Sequence, residues 1–357
     1  MDATEQLLRE ISEAPGPSGY EAPAREVMRR ALSGLATEVE QDKLGSLIAR
    51  LPGTSNRPRI MLAGHLDEVG FLVRYITDNG FIRFLPLGGW WNLVLLAQQV
   101  TILTSKGSVT GIIGAKPPHL LKEEERNKVV EKEAMYIDIG ATSRQQVEEA
   151  GVRVGDPIVP KTAFTVLMNG RAYLSKAWDD RVGCAMVVEA FRALAKEPHP
   201  NTVYGVGTVQ EEVGLRGART SAYAVEPDVG LVMEVALAGD LPDMKPEECA
   251  AKMGQGVVVL AYDGSMIPNL HLRDLAIDTA REKGIPVQVD VLSRGGTDGG
   301  PIHTNARGTP SLVLGVPTRH IHSHQGIIYR DDFDAAVRLV VELVKRLDAE
   351  TVAGLTR

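Results

Sequence analysis

Apolar residues recur at helical spacing through residues 4–13 (Leu7, Leu8, Ile11) and stop before Pro15-Gly16-Pro17-Ser18-Gly19, which predicts a helix followed by a breaker-rich loop. The same spacing through Ala22, Val27, Met28 and Leu32 predicts a second helix over 21–36. The texture then turns strand-like, in VEQDKLGSLIARL and RIMLAGHLDEVGFLVRYI. Between residues 70 and 160, short runs (GFIRFLPL, QQVTILT, SVTGIIG, AMYIDIG, DPIVP) alternate with Gly and Pro turns, the pattern of a small all-β unit. Within it KEEERNKVVEKE, 122–133, is dense in charge and reads as a solvated loop. After 160 the pattern alternates: helix 181–196, strand 202–210, strands near 228–237 and at GQGVVVLAY, helix 268–283, strands IPVQVDVL and TPSLVLGV, and a final helix 331–348.

Strands with nearly continuous Val/Leu/Ile runs, alternating with helices, predict an α/β fold whose mixed sheet is covered by helices. The all-β unit interrupts it, giving one domain from 1–70 and 160–357 and an inserted β-barrel-like domain from 71–159. Two domains also suit the length of 357 residues. A net charge of −7 gives no reason to expect nucleic acid as a partner. The two cysteines, Cys184 and Cys249, stand in no metal or redox spacing, and Cys184 falls in an apolar helical pattern that suits a free buried thiol. No signal peptide and no transmembrane run are recognised, so the expected location is cytoplasmic, with no membrane partner.

The polar residues most able to bind metal gather where apolar runs end. IMLAG leads to His65 and Asp67, TVYGVGTVQ to Glu211 and Glu212, GLVM to Glu234, and PSLVLGVPT to His320, His322 and His324, while Asp179 and Asp180 precede a helix. Each has an ordinary explanation alone: a satisfied histidine, a helix N-cap, a surface turn, a strand-edge charge. Together they point to one crevice at the carboxyl ends of the strands. Carboxylate and imidazole without thiolate suit zinc, cobalt or manganese. A bridging carboxylate, two histidines, two further carboxylates and a spare Glu match the needs of a paired-metal hydrolase.

The segments GHLDEVGF (64–71), PLGGW (86–90), GIIGAKPPH (111–119), YIDIGATS (136–143), KAWDDRVG (176–183), VQEEVGLRGA (209–218), GGTDGG (295–300) and PTRHIHS (317–323) occur in the order found in M42 metallo-aminopeptidases. The chain resembles that family, of the glutamyl/leucyl and tetrahedral aminopeptidase type, from about residue 15 to 330. The resemblance implies a zinc-exopeptidase-like fold and release of N-terminal amino acids from peptides. It implies two divalent ions per subunit, zinc or cobalt with manganese sharing the ligand set. His65 and Glu234 would bind the first ion and Glu212 and His322 the second, with Asp179 bridging and the Asp179–Asp180 peptide cis. Asp67 would orient the His65 ring, Glu211 would be general base on a metal-bridging water, and Asp298 would lie at the substrate. His320 and His324 receive no role. Dimers through the inserted domain, assembling into a dodecamer, are also implied.

Two positions differ from many relatives: Glu234, where Asp is common, and GGTDGG in place of a GGTDA-type turn. A deacylase or other amidohydrolase would share the metal chemistry. A glycosidase would need paired carboxylates but no aligned histidines, and 5% aromatic residues is low for a sugar cleft.

Overall fold

The computed structural model describes residues 1–357. Its centre is an 11-stranded mixed sheet. Four strands at its heart run parallel: Thr202–Thr208, Arg59–His65, Val229–Leu237 and Ser311–Arg319 lie side by side in that order. Antiparallel strands flank them, Leu47–Leu51 and Glu38–Gln41 on one side, Gly326–Tyr329, Ala172–Ser175 and Thr165–Val166 on the other. Val257–Tyr262 branches from Ser311–Arg319 and carries Val287–Val291 in parallel.

The apolar runs explain why these strands are central. Burial on both faces removes side chains such as Ile60, Leu62, Leu231 and Leu314 entirely from water. Each such burial contributes about 1.5–3 kcal/mol. On one face Ala3–Glu13, Ala22–Leu32, Trp178–Leu194, Leu270–Glu282 and Arg330–Arg346 close over the largest core. On the other, Arg216–Val225 and Gly299–His303 cover a smaller one.

Residues 70–160 hold a closed six-stranded barrel of Gly70–Ile76, Ile82–Leu87, Gln99–Thr104, Gly107–Gly114, Tyr136–Asp138 and Pro157–Pro160. It has its own core, in which Phe71 stacks on Trp90 with centroids 4.7 Å apart. The charged stretch 122–133 is largely exposed and contains one short helix, Glu123–Arg126. No helix is long and apolar enough to cross a membrane. Cys184 and Cys249 are both free and buried.

Boundaries shift from the sequence expectations by a few residues. The second helix ends at Leu32, short of 36, because Gly34 takes a left-handed φ of 83°. The regular turns expected from 181 do begin after Asp180, because Asp179 (φ −81°, ψ 104°) and Asp180 (φ −121°, ψ 43°) break the helix there, and the strand expected to reach 210 stops at Thr208.

Candidate metal centre

Strand pairing assembles the site. His65 closes its strand opposite Thr208, and the pairing of Val232 with Ala63 sets Glu234 level with His65. The helix Trp178–Leu194 packs across these strands and brings Asp179 to their ends. The Asp179–Asp180 peptide is cis. One oxygen of Asp179 lies 3.0 Å from His65 Nε2, and the other lies 3.2 Å from His322 Nε2. His322 Nε2 is also 3.5 Å from Glu212 Oε1, and His65 Nε2 is 3.7 Å from Glu211 Oε2.

Ligand atoms of His65, Asp179 and Glu234 fall within 4.8 Å of one another, and so do those of Asp179, Glu212 and His322. These two triads share Asp179, and a third joins His65, Glu211 and Glu212. Ligands about 2.1 Å from a tetrahedral ion stand roughly 3.4 Å apart, close to these separations. Glu212 Oε1 is buried and has no hydrogen-bond donor, which leaves it able to take a cation.

The electrostatics agree with that deficit. Burial raises the carboxyls of Glu211 and Glu234 well above the usual range and pushes Glu212 up to about 8. Burial would lower both histidines, but nearby carboxylates prevail. Glu211 and Asp179 hold His65 well above its ordinary value, and Asp179 and Glu212 push His322 up to about 9. Asp179, although buried, is pulled low by hydrogen bonds from both rings. A cluster of buried carboxylates of this kind needs positive charge beside it, which protons or a metal ion can supply.

The ring of His65 is held differently from the sequence expectation. Its Nδ1 lies 3.0 Å from the main-chain oxygen of Asp67 and 3.6 Å from the carboxylate. That carboxylate instead accepts the Ser18 hydroxyl at 2.6 Å and the amides of Glu211 and Glu212 at 2.9 and 3.1 Å. Asp67 lies past the strand end, so alternation no longer dictates its direction. Asp180 accepts the His65 amide at 3.0 Å and ties helix to strand.

Ser18 belongs to a loop fixed from beneath. Buried Arg181 donates to the carbonyls of Ile11 and Ala14 at 2.6 and 2.8 Å. Buried Glu68 accepts the Gly16 amide at 3.0 Å and the Lys176 ammonium at 2.6 Å. Burial pulls Lys176 down to about 8. No motif marks Ser18; its only sequence signal is its place among loop-forming residues.

Asp298 is buried and does not line the cavity beside the cluster. It accepts the Thr208 hydroxyl, and burial raises it to about 6. It thus ties the start of Gly299–His303 to the end of the strand Thr202–Thr208. His320 is exposed, whereas His324 is buried against Trp90 with ring centroids 5.2 Å apart. Burial lowers His324 to about 4, so it packs as a neutral ring.

The barrel also reaches the site. Gly89, in PLGGW, lies against His322 so closely that a Cβ would come 3.1 Å from Nδ1. Beside the cluster opens a cavity of about 660 Å³.

The family model for M42 glutamyl aminopeptidase matches residues 45–339. The chain belongs to the M42 peptidase family. Lysyl aminopeptidase of Pyrococcus furiosus is 34% identical over 96% of this chain and 97% of its own length. Glutamyl aminopeptidase of Lactococcus lactis is 34% identical over 98% of both chains. Among solved structures, a TET aminopeptidase from Thaumarchaeota archaeon SCGC AB-539-E09 superposes with a TM-score of 0.97 at 51% identity, covering 99% of this chain and 98% of that one. This M42 chain is thus an aminopeptidase, a hydrolase acting on N-terminal residues, in a metal-dependent family. Its buried His and carboxylate groups form clusters able to hold metal.

Proposed function

We propose that this M42 aminopeptidase works with two divalent ions, one held by His65, Asp179 and Glu234, the other by Asp179, Glu212 and His322. The observation that carries this reading is Asp179, whose two oxygens face two different histidines at 3.0 and 3.2 Å. Oxygen and nitrogen donors suit zinc, cobalt or manganese. When bound, the ions supply Lewis-acid polarisation of the scissile carbonyl and acidify water.

The rest falls to the protein's own groups. Glu211 lies beside His65, with its main-chain amide fixed by Asp67, so its carboxylate is held over the site. It takes the proton of the attacking water and passes it to the departing amine. Its burial raises its affinity for that proton, as a shuttle requires. Asp67 holds Glu211 and Glu212 through their amides and His65 through its carbonyl, a positioning role. The substrates are peptides with free N-termini.

Solved structures of a Pyrococcus horikoshii TET peptidase are described as a dodecamer and as a tetrahedron or octahedral shell. We extend self-assembly to this chain, with residues 71–159 as the pairing unit. Trp91 and Leu93, 63% and 54% exposed on the barrel side, support that reading.

The test is to strip the protein with chelator, restore zinc, cobalt or manganese, and assay aminoacyl-p-nitroanilides, an N-acetylated analogue and a cellulose-derived substrate. Metal-dependent release confined to free amines is expected. Preferential cleavage of the blocked substrate would convert the reading to a deacylase.

A further inference from the structure

We propose that the cavity beside the metal cluster receives an uncharged, aliphatic N-terminal side chain. This rests on the aminopeptidase reading of the same site. The relatives' names specify lysyl and glutamyl substrates, of opposite charge, so the preference has to come from this chain's own cavity.

At one end the cavity of about 660 Å³ is bounded by the cluster residues. Elsewhere its walls include Leu215, Leu237, Cys249, Leu260, Val291 and Leu292. Leu237 is the only exposed residue of its strand, at 47%, and Val291 is 56% exposed. Apolar surface is therefore left uncovered at the cavity, where a bound apolar group would remove it from water.

Away from the cluster, three charged residues line the space: Asp290, Glu248 and Arg294. Asp290 is already committed. One of its oxygens accepts the amides of Ala250 and Ala251 at 3.1 and 2.9 Å and the Cys249 thiol at 3.4 Å. Its other oxygen accepts the Val291 amide at 2.8 Å. Asp290 thus pins the segment 249–251 that forms part of the wall. Glu248 and Arg294 are exposed and opposite in sign, and Glu248 accepts the Lys245 amide at 2.9 Å. Because both are exposed, a charged side chain entering would gain only a solvent-screened partner for the hydration it loses, whereas an aliphatic one gains by burial.

The test uses the metal-replete, full-length protein and the p-nitroanilides of Leu, Met, Lys and Glu. Leu or Met should exceed both Lys and Glu in kcat/KM by about tenfold or more. Competitive inhibition by free L-leucine, L-lysine and L-glutamate should follow the same order. Leu237→Lys should raise the Glu:Leu ratio by about tenfold, and Val291→Lys is the second variant should the first misfold. Glu248→Gln should leave Leu ahead of Lys. Fastest turnover of Lys or Glu would overturn the proposal. So would a Glu:Leu ratio that neither lysine variant moves. Absence of turnover on every free-amine substrate would overturn both this proposal and the reading beneath it.

Discussion

At the scale of single residues, the centre depends on a few oxygens with assigned partners. Glu211→Gln keeps the size of the proposed base and removes its proton affinity, so metal content should persist while kcat falls by about 10²–10⁴-fold. Metal analysis beside steady-state kinetics checks this. Ser18→Ala removes the hydroxyl 2.6 Å from Asp67 without touching a candidate ligand. The loss of a hydrogen bond to a charged group should lower kcat by roughly tenfold, with KM little changed and activity largely recovered in Ser18→Thr. The metal-free protein should also respond to pH. Glu212 rises from 4.5 to about 8 on burial, and His322 from 6.5 to about 9 beside Asp179 and Glu212. Both bind protons more tightly folded than unfolded, so both stabilise fully below their unfolded values and lose that effect as pH rises through the folded ones. Thermal melts of the stripped protein should fall as pH rises from about 4.5 to 9, and added zinc should reduce the fall. The clustered residue types were legible because metal-type side chains terminate apolar runs. The roles of Asp67, Asp298 and Ser18 were not, because each depends on which distant atom a loop delivers.

At the scale of elements, helix and sheet meet through Gly64. A Cβ there would lie 2.7 Å from the main-chain nitrogen of Cys184 and carbon of Gly183. Gly64→Ala should therefore push Trp178–Leu194 away from the strand, destabilising by about 1–3 kcal/mol. Because Asp179 and Asp180 ride on that helix, metal affinity should fall too. A denaturant midpoint and a metal titration measure the two effects. Long buried strands were readable from their Val and Leu runs, since burial on both faces leaves no polar alternation. The helix Arg216–Val225 escaped notice because its buried face uses Ala218, Ser221 and Ala222, which carry little hydrophobic signal. Gly326–Tyr329 is four residues long, too short for a pattern to declare itself.

At the scale of the whole molecule, two cores and a barrel give three apolar clusters with different neighbours. Segment 90–93 is braced by Asn92 Nδ2 on the Val130 carbonyl and Lys132 Nζ on that of Trp90, both at 3.1 Å, yet Trp91 and Leu93 remain uncovered. Trp91→Glu should leave the fold intact and reduce the assembled mass measured by light scattering. An unchanged mass would move the association surface elsewhere.

Gly89 connects this exposed face to the chemistry, because the turn that precedes Trp90 and Trp91 also presses on His322. On the proposals of two bound ions and self-association, occupancy of the centre and assembly would share this joint. By reciprocity, if ion binding strengthens association tenfold, association strengthens ion binding by the same factor. With such coupling, dilution alone would loosen the ions, and a chelator would act as a dissociating agent on the assembly.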